Sequence, residues 1–170
     1  MKNPFEFFNL SPSLALDSKQ LRQVFLTIQR TAHPDFGDGE SNESELANIY
    51  YETLKEPISR LKCLLDHYSN SQLNQNMLDA SFLMEMMELN DEIELALEGN
   101  SVARESAENQ LIAIDQEIQQ ELIQLMQKWS ASEFSVETMN QDQWNLHVLW
   151  YQKYKYWLRL RKNLDGVEEI

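Results

Sequence analysis

The sequence predicts an all-α fold, a helical hairpin followed by a three-helix bundle, on three observations. Only 4 Gly and 4 Pro occur in 170 residues, while Leu, Met, Gln and Glu are plentiful, and such straight-chain side chains lose little rotamer freedom in a helix. Apolar residues recur at spacings of three and four along most of the chain, the period of one helix face. Hydrophobic residues make up 42% of the chain and charged residues 25%, which is enough apolar material for a core and argues against general disorder.

The charge balance narrows the partners. A formal net charge of −14 and a pI near 4.5 speak against nucleic acid and against an anionic membrane, both of which would repel this chain unless a strong basic patch intervened. The acid is concentrated late: Met1 to Tyr68 holds 7 basic and 10 acidic residues, net −3, and the remainder holds 7 and 18, net −11. The single Cys63 excludes an intrachain disulfide framework and any zinc site built on a cysteine pair. No cofactor or metal is expected. The first residues carry no charged and then apolar leader, and no apolar run approaches the roughly 20 residues that span a bilayer. The expectation is a soluble, cytoplasmic protein.

Phe5, Phe7, Phe8 and Leu10 form an apolar cluster that ends at Ser11-Pro12. Asp17 with Gln20 three positions on resembles a capping box and predicts a helix start. Leu21, Phe25, Ile28 and Ala32 then mark a core face over Asp17 to Ala32. Lys19, Arg22, Gln29 and Arg30 lie on the other side, either a basic contact surface or a merely solvated face. His33-Pro34-Asp35 closes this helix, because proline fixes its own φ, lacks an N–H and drives the residue before it out of the helical region. Taken alone, the tripeptide reads more readily as a solvated turn than as a functional corner. An acid/base pair of His33 and Asp35 is conceivable, but the following loop offers no nucleophile, and His67 and His147 are not spaced as ligands. A second helix from about Ser44 carries Leu46, Ala47, Tyr50 and Leu54. Pro57 breaks it, and Ile58, Leu61, Leu64 and Leu65 continue the pattern.

Residues 70–79 are rich in Asn, Gln and Ser and read as a connection between residues 1–69 and 80–170. From Ala80 to Leu97, a core stripe of Phe82, Met86, Leu89, Ile93 and Leu97 leaves Leu83, Met84, Met87 and Leu95 on another face. Glu88, Asp91 and Glu94 accompany them, with no basic residue between Asp79 and Glu98. Such a face suits a partner with a basic rim, since methionine adapts to varied surfaces and charge sets orientation; it equally suits packing on another helix. Gly99-Asn100 ends this helix and Ser101 is the expected cap of the next, whose stripe is Ala107, Leu111, Ile114, Ile118, Leu122, Leu125 and Trp129. Leu146, Trp150, Tyr154, Trp157, Leu160 and Leu164 supply a third face, and three such helices close most simply as a bundle. Lys153, Lys155, Arg159, Arg161 and Lys162 interleave with aromatics on the last helix, a pattern that can stack RNA but that core packing accounts for as well.

The N-terminal pattern resembles a J-domain, and more narrowly that of HscB-type co-chaperones of iron–sulfur cluster assembly. The resemblance rests on Gln29-Arg30 before His33-Pro34-Asp35, and on Asn48, Tyr51, Thr53, Leu54, Pro57, Arg60, Leu64 and Leu65 at the family's spacing. Phe36 stands where the family usually has Lys, and Asn9 where it often has Gly. Asp79-Ala80-Ser81-Phe82-Leu83-Met84-Glu85 with Glu88-Leu89 is similar to the opening of the family's C-terminal domain. The resemblance implies that His33, Pro34 and Asp35, with Lys19, Arg22 and Arg30, engage a DnaK/HscA-type ATPase chaperone and stimulate its ATP hydrolysis. It implies too that a three-helix bundle binds an IscU-type iron–sulfur scaffold protein through Leu83, Met84, Met87, Glu88, Asp91 and Tyr156, although Leu95 replaces a family Glu. Such a protein activates an enzyme without being one. A general J-protein serving another client and a helical adaptor without an ATPase partner remain the alternatives.

Overall fold

The structure, a computed structural model, describes residues 3–31, 41–69 and 77–166. The His33-Pro34-Asp35 tripeptide, Phe36 and residues 70–76 of the expected connection lie outside them. The described residues form seven helices and no strand: α1 Pro4–Phe7, α2 Ser18–Thr31, α3 Ser41–Lys55, α4 Pro57–Tyr68, α5 Ala80–Leu97, α6 Ser101–Ser130 and α7 Gln141–Asp165. The fold is all-α, as the spacing predicts. The chain divides into two compact units, Met1–Ser71 with Met126–Trp144, and Gln72–Leu125 with Asn145–Ile170.

In the first unit α3 packs against α1, α2 and α4. Asn3 opens α1 through a capping box: its side chain accepts the Glu6 N–H at 3.0 Å, and its amide donates to the Tyr68 hydroxyl at 2.9 Å. The end of α1 is a Schellman turn. Leu10 N–H donates to the Phe5 carbonyl at 2.9 Å and Asn9 N–H to that of Glu6 at 3.3 Å, and both Leu10 and Phe5 are buried. That turn needs a left-handed residue, and Asn9 supplies it at φ +52°, which accounts for glycine being interchangeable with asparagine there.

The break between α3 and α4 is organised by Arg60. Pro57 has no N–H to continue the helical ladder, so the last carbonyls of α3 need other donors. Arg60, only 4% exposed, supplies them, donating from Nε to the Leu54 carbonyl at 2.6 Å and from Nη2 to that of Lys55 at 3.0 Å. Its Nη1 reaches the Leu14 carbonyl at 2.6 Å and so ties in the α1–α2 loop. Burial lowers the guanidinium's pKa, an effect the nearby Glu56 carboxylate opposes, and the charge sits where a helix C-terminus favours a cation.

In the second unit Met86, Leu89, Ile93 and Ala96 of α5, Ala103, Ala107 and Leu111 of α6, and Leu160 and Leu164 of α7 form one core, with Phe82, Ile114, Tyr156 and Trp157 packed against it. The indoles of Trp150 and Trp157 donate to the Ile118 and Leu111 carbonyls, each at 2.9 Å, and Lys153 pairs with Glu121 at 2.9 Å. Three sequence expectations shift. Asn100, not Ser101, caps α6, its side chain accepting the Val102 and Ala103 N–H groups at 3.1 Å. Leu97 is 55% exposed and Ala96 buried, because two successive four-residue steps rotate the stripe by about 80°. On α7, Leu146 is 48% exposed while His147 and Val148 are buried.

Candidate functional site

Two surfaces carry residues that the sequence singles out. The first is the outward side of α2, where Lys19, Arg22 and Arg30 are all exposed and, among the described residues, face no carboxylate at ion-pair distance. Gln29, expected beside them, does something else. Its amide donates to the Ser44 carbonyl and to Asn48 Oδ1, each at 3.1 Å, and its Oε1 accepts the Ser44 hydroxyl at 2.7 Å. With Phe25 stacked on Tyr51 at 4.3 Å between ring centres, these bonds lock α2 to α3 and so fix the helices on either side of the tripeptide. A four-residue step could not have revealed Gln29's role, because its partners lie 15 and 19 residues away.

The second surface is the outer face of α5. Asp79 caps the helix, accepting the Phe82 N–H and the Ser81 hydroxyl at 2.7 Å each; these bonds stabilise its charged form and hold its carboxyl below the usual range. With Met86, Leu89, Ile93 and Ala96 committed to the core, the surplus apolar residues face outward: Met84 is 63% exposed, Met87 66% and Leu95 49%, with Leu83 half-buried. Glu88, Asp91 and Glu94 are exposed among them. Glu92 is not in that set, since it accepts a hydrogen bond from the Gln110 amide of α6. Tyr156 packs edge-on against Phe82, ring centres 6.3 Å apart, and borders the patch from α7. The α5 residues chosen from the sequence thus share one helix and, apart from the half-buried Leu83, are exposed; Tyr156 touches that helix through Phe82.

Among the described residues no cluster of His, Cys, Asp and Glu has the makings of a metal site, and no helix is long and apolar enough to cross a membrane. A cavity of about 420 Å³ lies between α1, α3 and α4, lined in part by Asn3, Tyr50, Lys62, Cys63 and His67. Burial pushes the Cys63 thiol up to about 11, so it stays protonated at neutral pH and is a poor nucleophile.

Comparison with known proteins gives the family. The family described as the HSCB C-terminal oligomerisation domain matches residues 78–165. A co-chaperone protein HscB homolog of Vibrio vulnificus is 32% identical, over 98% of this chain and 97% of its own length. The Haemophilus ducreyi homolog of the same name is 28% identical over 99% and 97%. Among solved structures, the Vibrio cholerae chaperone HscB is 26% identical with a TM-score of 0.58, covering 98% of this chain and 97% of that one. The human co-chaperone protein HscB, at 22% identity, covers 98% and 82% with a TM-score of 0.63, a likeness of fold. A match across half the chain, together with one at 32% over nearly all of it, shows that this protein belongs to the HscB co-chaperone family.

Proposed function

We propose that this protein stimulates ATP hydrolysis by a DnaK/HscA-type chaperone and delivers an IscU-type iron–sulfur scaffold protein to it in the cytoplasm. In this reading residues 1–69 are the J-domain, 70–79 the connection and 80–170 the scaffold-binding bundle. The observation that carries it is the α5 face, on which Met84 and Met87 stand about two-thirds exposed among carboxylates, within the stretch that matches the HscB C-terminal family. A protein surface with an apolar centre and a basic rim is its natural complement.

The J-domain needs no chemistry of its own. It accelerates hydrolysis by binding the hydrolysis-competent form of the ATPase better than the resting form, and its effect is bounded by that difference in affinity. Asp35 pairs with an arginine of the ATPase, His33 hydrogen-bonds beside it, Pro34 stiffens the corner, and Lys19, Arg22 and Arg30 steer the approach. Single-turnover ATP hydrolysis by the cognate chaperone, with and without scaffold, is the test. His33→Gln is expected to abolish stimulation while scaffold binding and the melting temperature hold. An unchanged ATPase response in that variant would falsify the assignment.

A further inference from the structure

The cations of α7 are not equivalent. Lys153 is tied to Glu121 at 2.9 Å and Arg161 to Asp165 at 3.1 Å. Arg159 is exposed and, among the described residues, has no carboxylate at ion-pair distance. Its guanidinium instead lies over the Tyr156 ring, 4.3 Å from the centre, and Tyr156 in turn packs on Phe82 of α5. This chain of contacts links a cation to the first turn of α5, a helix that carries none of its own. Lys155 and Lys162 lie about 100° or more around α7 from Tyr156, toward the outer side.

Stacking matters for what Arg159 can do. A planar guanidinium held against a ring keeps its edge N–H groups pointing outward, gives up little rotamer freedom on binding, and matches a carboxylate in two-point fashion. The patch is therefore polar along its length as well as apolar at its centre. A positive group is linked through Tyr156 to Phe82 in the first turn of α5, and Glu88, Asp91 and Glu94 lie further along the same helix without a balancing base.

Building on the scaffold-docking reading, we infer that Arg159 is an orienting contact that receives a carboxylate of the docked scaffold while the α5 acids take its basic side chains, so that only one direction of docking satisfies both. Reversal would set like charges against each other at both ends, which costs far more than either pair gains.

Isothermal titration of the full-length protein with its cognate IscU-type scaffold tests this. Arg159→Glu is expected to weaken binding about tenfold or more and Arg159→Gln about threefold, with the deficit shrinking at higher salt and the melting temperature unchanged. Replacing the scaffold's surface carboxylates singly by lysine should reveal one that restores binding to Arg159→Glu. If both Arg159 variants bind as the parent does while Leu83→Ala with Met87→Ala loses binding, the orienting role is overturned and the docking face stands. If the double variant also binds normally, the docking face itself is wrong.

Discussion

Helices α4 and α5 carry surplus apolar residues of the same kind and treat them in opposite ways. In α4, Leu61, Cys63, Leu64 and Leu65 are all buried, and even its arginine is spent inside, on three carbonyls. In α5 one stripe is buried and an equal number of apolar side chains stand in solvent. The arginines repeat the contrast: Arg60 has its charge neutralised by backbone dipoles in the interior, whereas Arg159 is parked on a ring with its edge free. Under the proposed function, the difference separates residues kept for the fold from residues kept for a partner, although their chemical types are the same.

The largest way to break that contrast is at Arg60. Arg60→Met keeps the length and removes the donors, leaving the Leu14, Leu54 and Lys55 carbonyls without their partner. At about 1 to 3 kcal/mol for each unsatisfied buried group, partly relieved by water, a loss of about 3 kcal/mol is expected. For a chain of this size that is a fall in melting temperature of roughly 10 °C, measurable by circular dichroism. Arg60→Lys should recover little, because an ammonium cannot fork to three acceptors. A variant as stable as the parent would show that the polar core of the first unit is ornamental.

The α5 face should behave conversely. Leu83→Ala with Met87→Ala is expected to weaken scaffold binding by about 2 kcal/mol, a factor of roughly 30, through lost apolar contact. The melting temperature should stay within the range of ordinary surface substitutions. A large drop in stability would instead mean that the half-buried Leu83 belongs to the core, and the contrast with α4 would fail.

How much of this was readable beforehand follows the reach of each interaction. Helix spans, the Pro57 break and the second apolar stripe of α5 are products of local periodicity, and the sequence carries them openly; that the stripe faces outward is read from the structure. Gln29 and Tyr156 act through groups 15 to 74 positions away, as between Gln29 and Ser44 or Tyr156 and Phe82, and Arg60 reaches Leu14 across 46 positions; spacing alone is silent about such pairs. Local caps are missing from that reading too, among them the capping box of Asn3 and Glu6 at α1. Asn140 and Gln143 form a reciprocal capping box at 2.9 Å that starts α7, and the Asn-x-x-Gln pattern was there to be read. At the tripeptide, the helix that leads into it and the lock beneath it are described, while His33, Pro34 and Asp35 are known from the sequence.

The smallest effect sharpens the comparison at the level of backbone. Helices α1 and α5 end in the same turn: Asn100 N–H donates to the Leu95 carbonyl at 3.1 Å and Gly99 N–H to that of Ala96 at 3.2 Å, repeating the bonds of Leu10 and Asn9. The left-handed residues differ. Asn9 at φ +52° lies within the region a side chain tolerates, and Gly99 at φ +100° lies beyond it. Nothing stands within 4 Å of a Cβ placed on Gly99, so any cost of Gly99→Ala is conformational. It should be about 1 to 2 kcal/mol. Asn9→Gly relieves a smaller strain and loosens the unfolded chain, two terms that nearly cancel, so a change under about 0.5 kcal/mol is expected. Equal costs at the two sites, measured by urea denaturation, would mean that the turns are held by their hydrogen bonds alone and that φ is incidental.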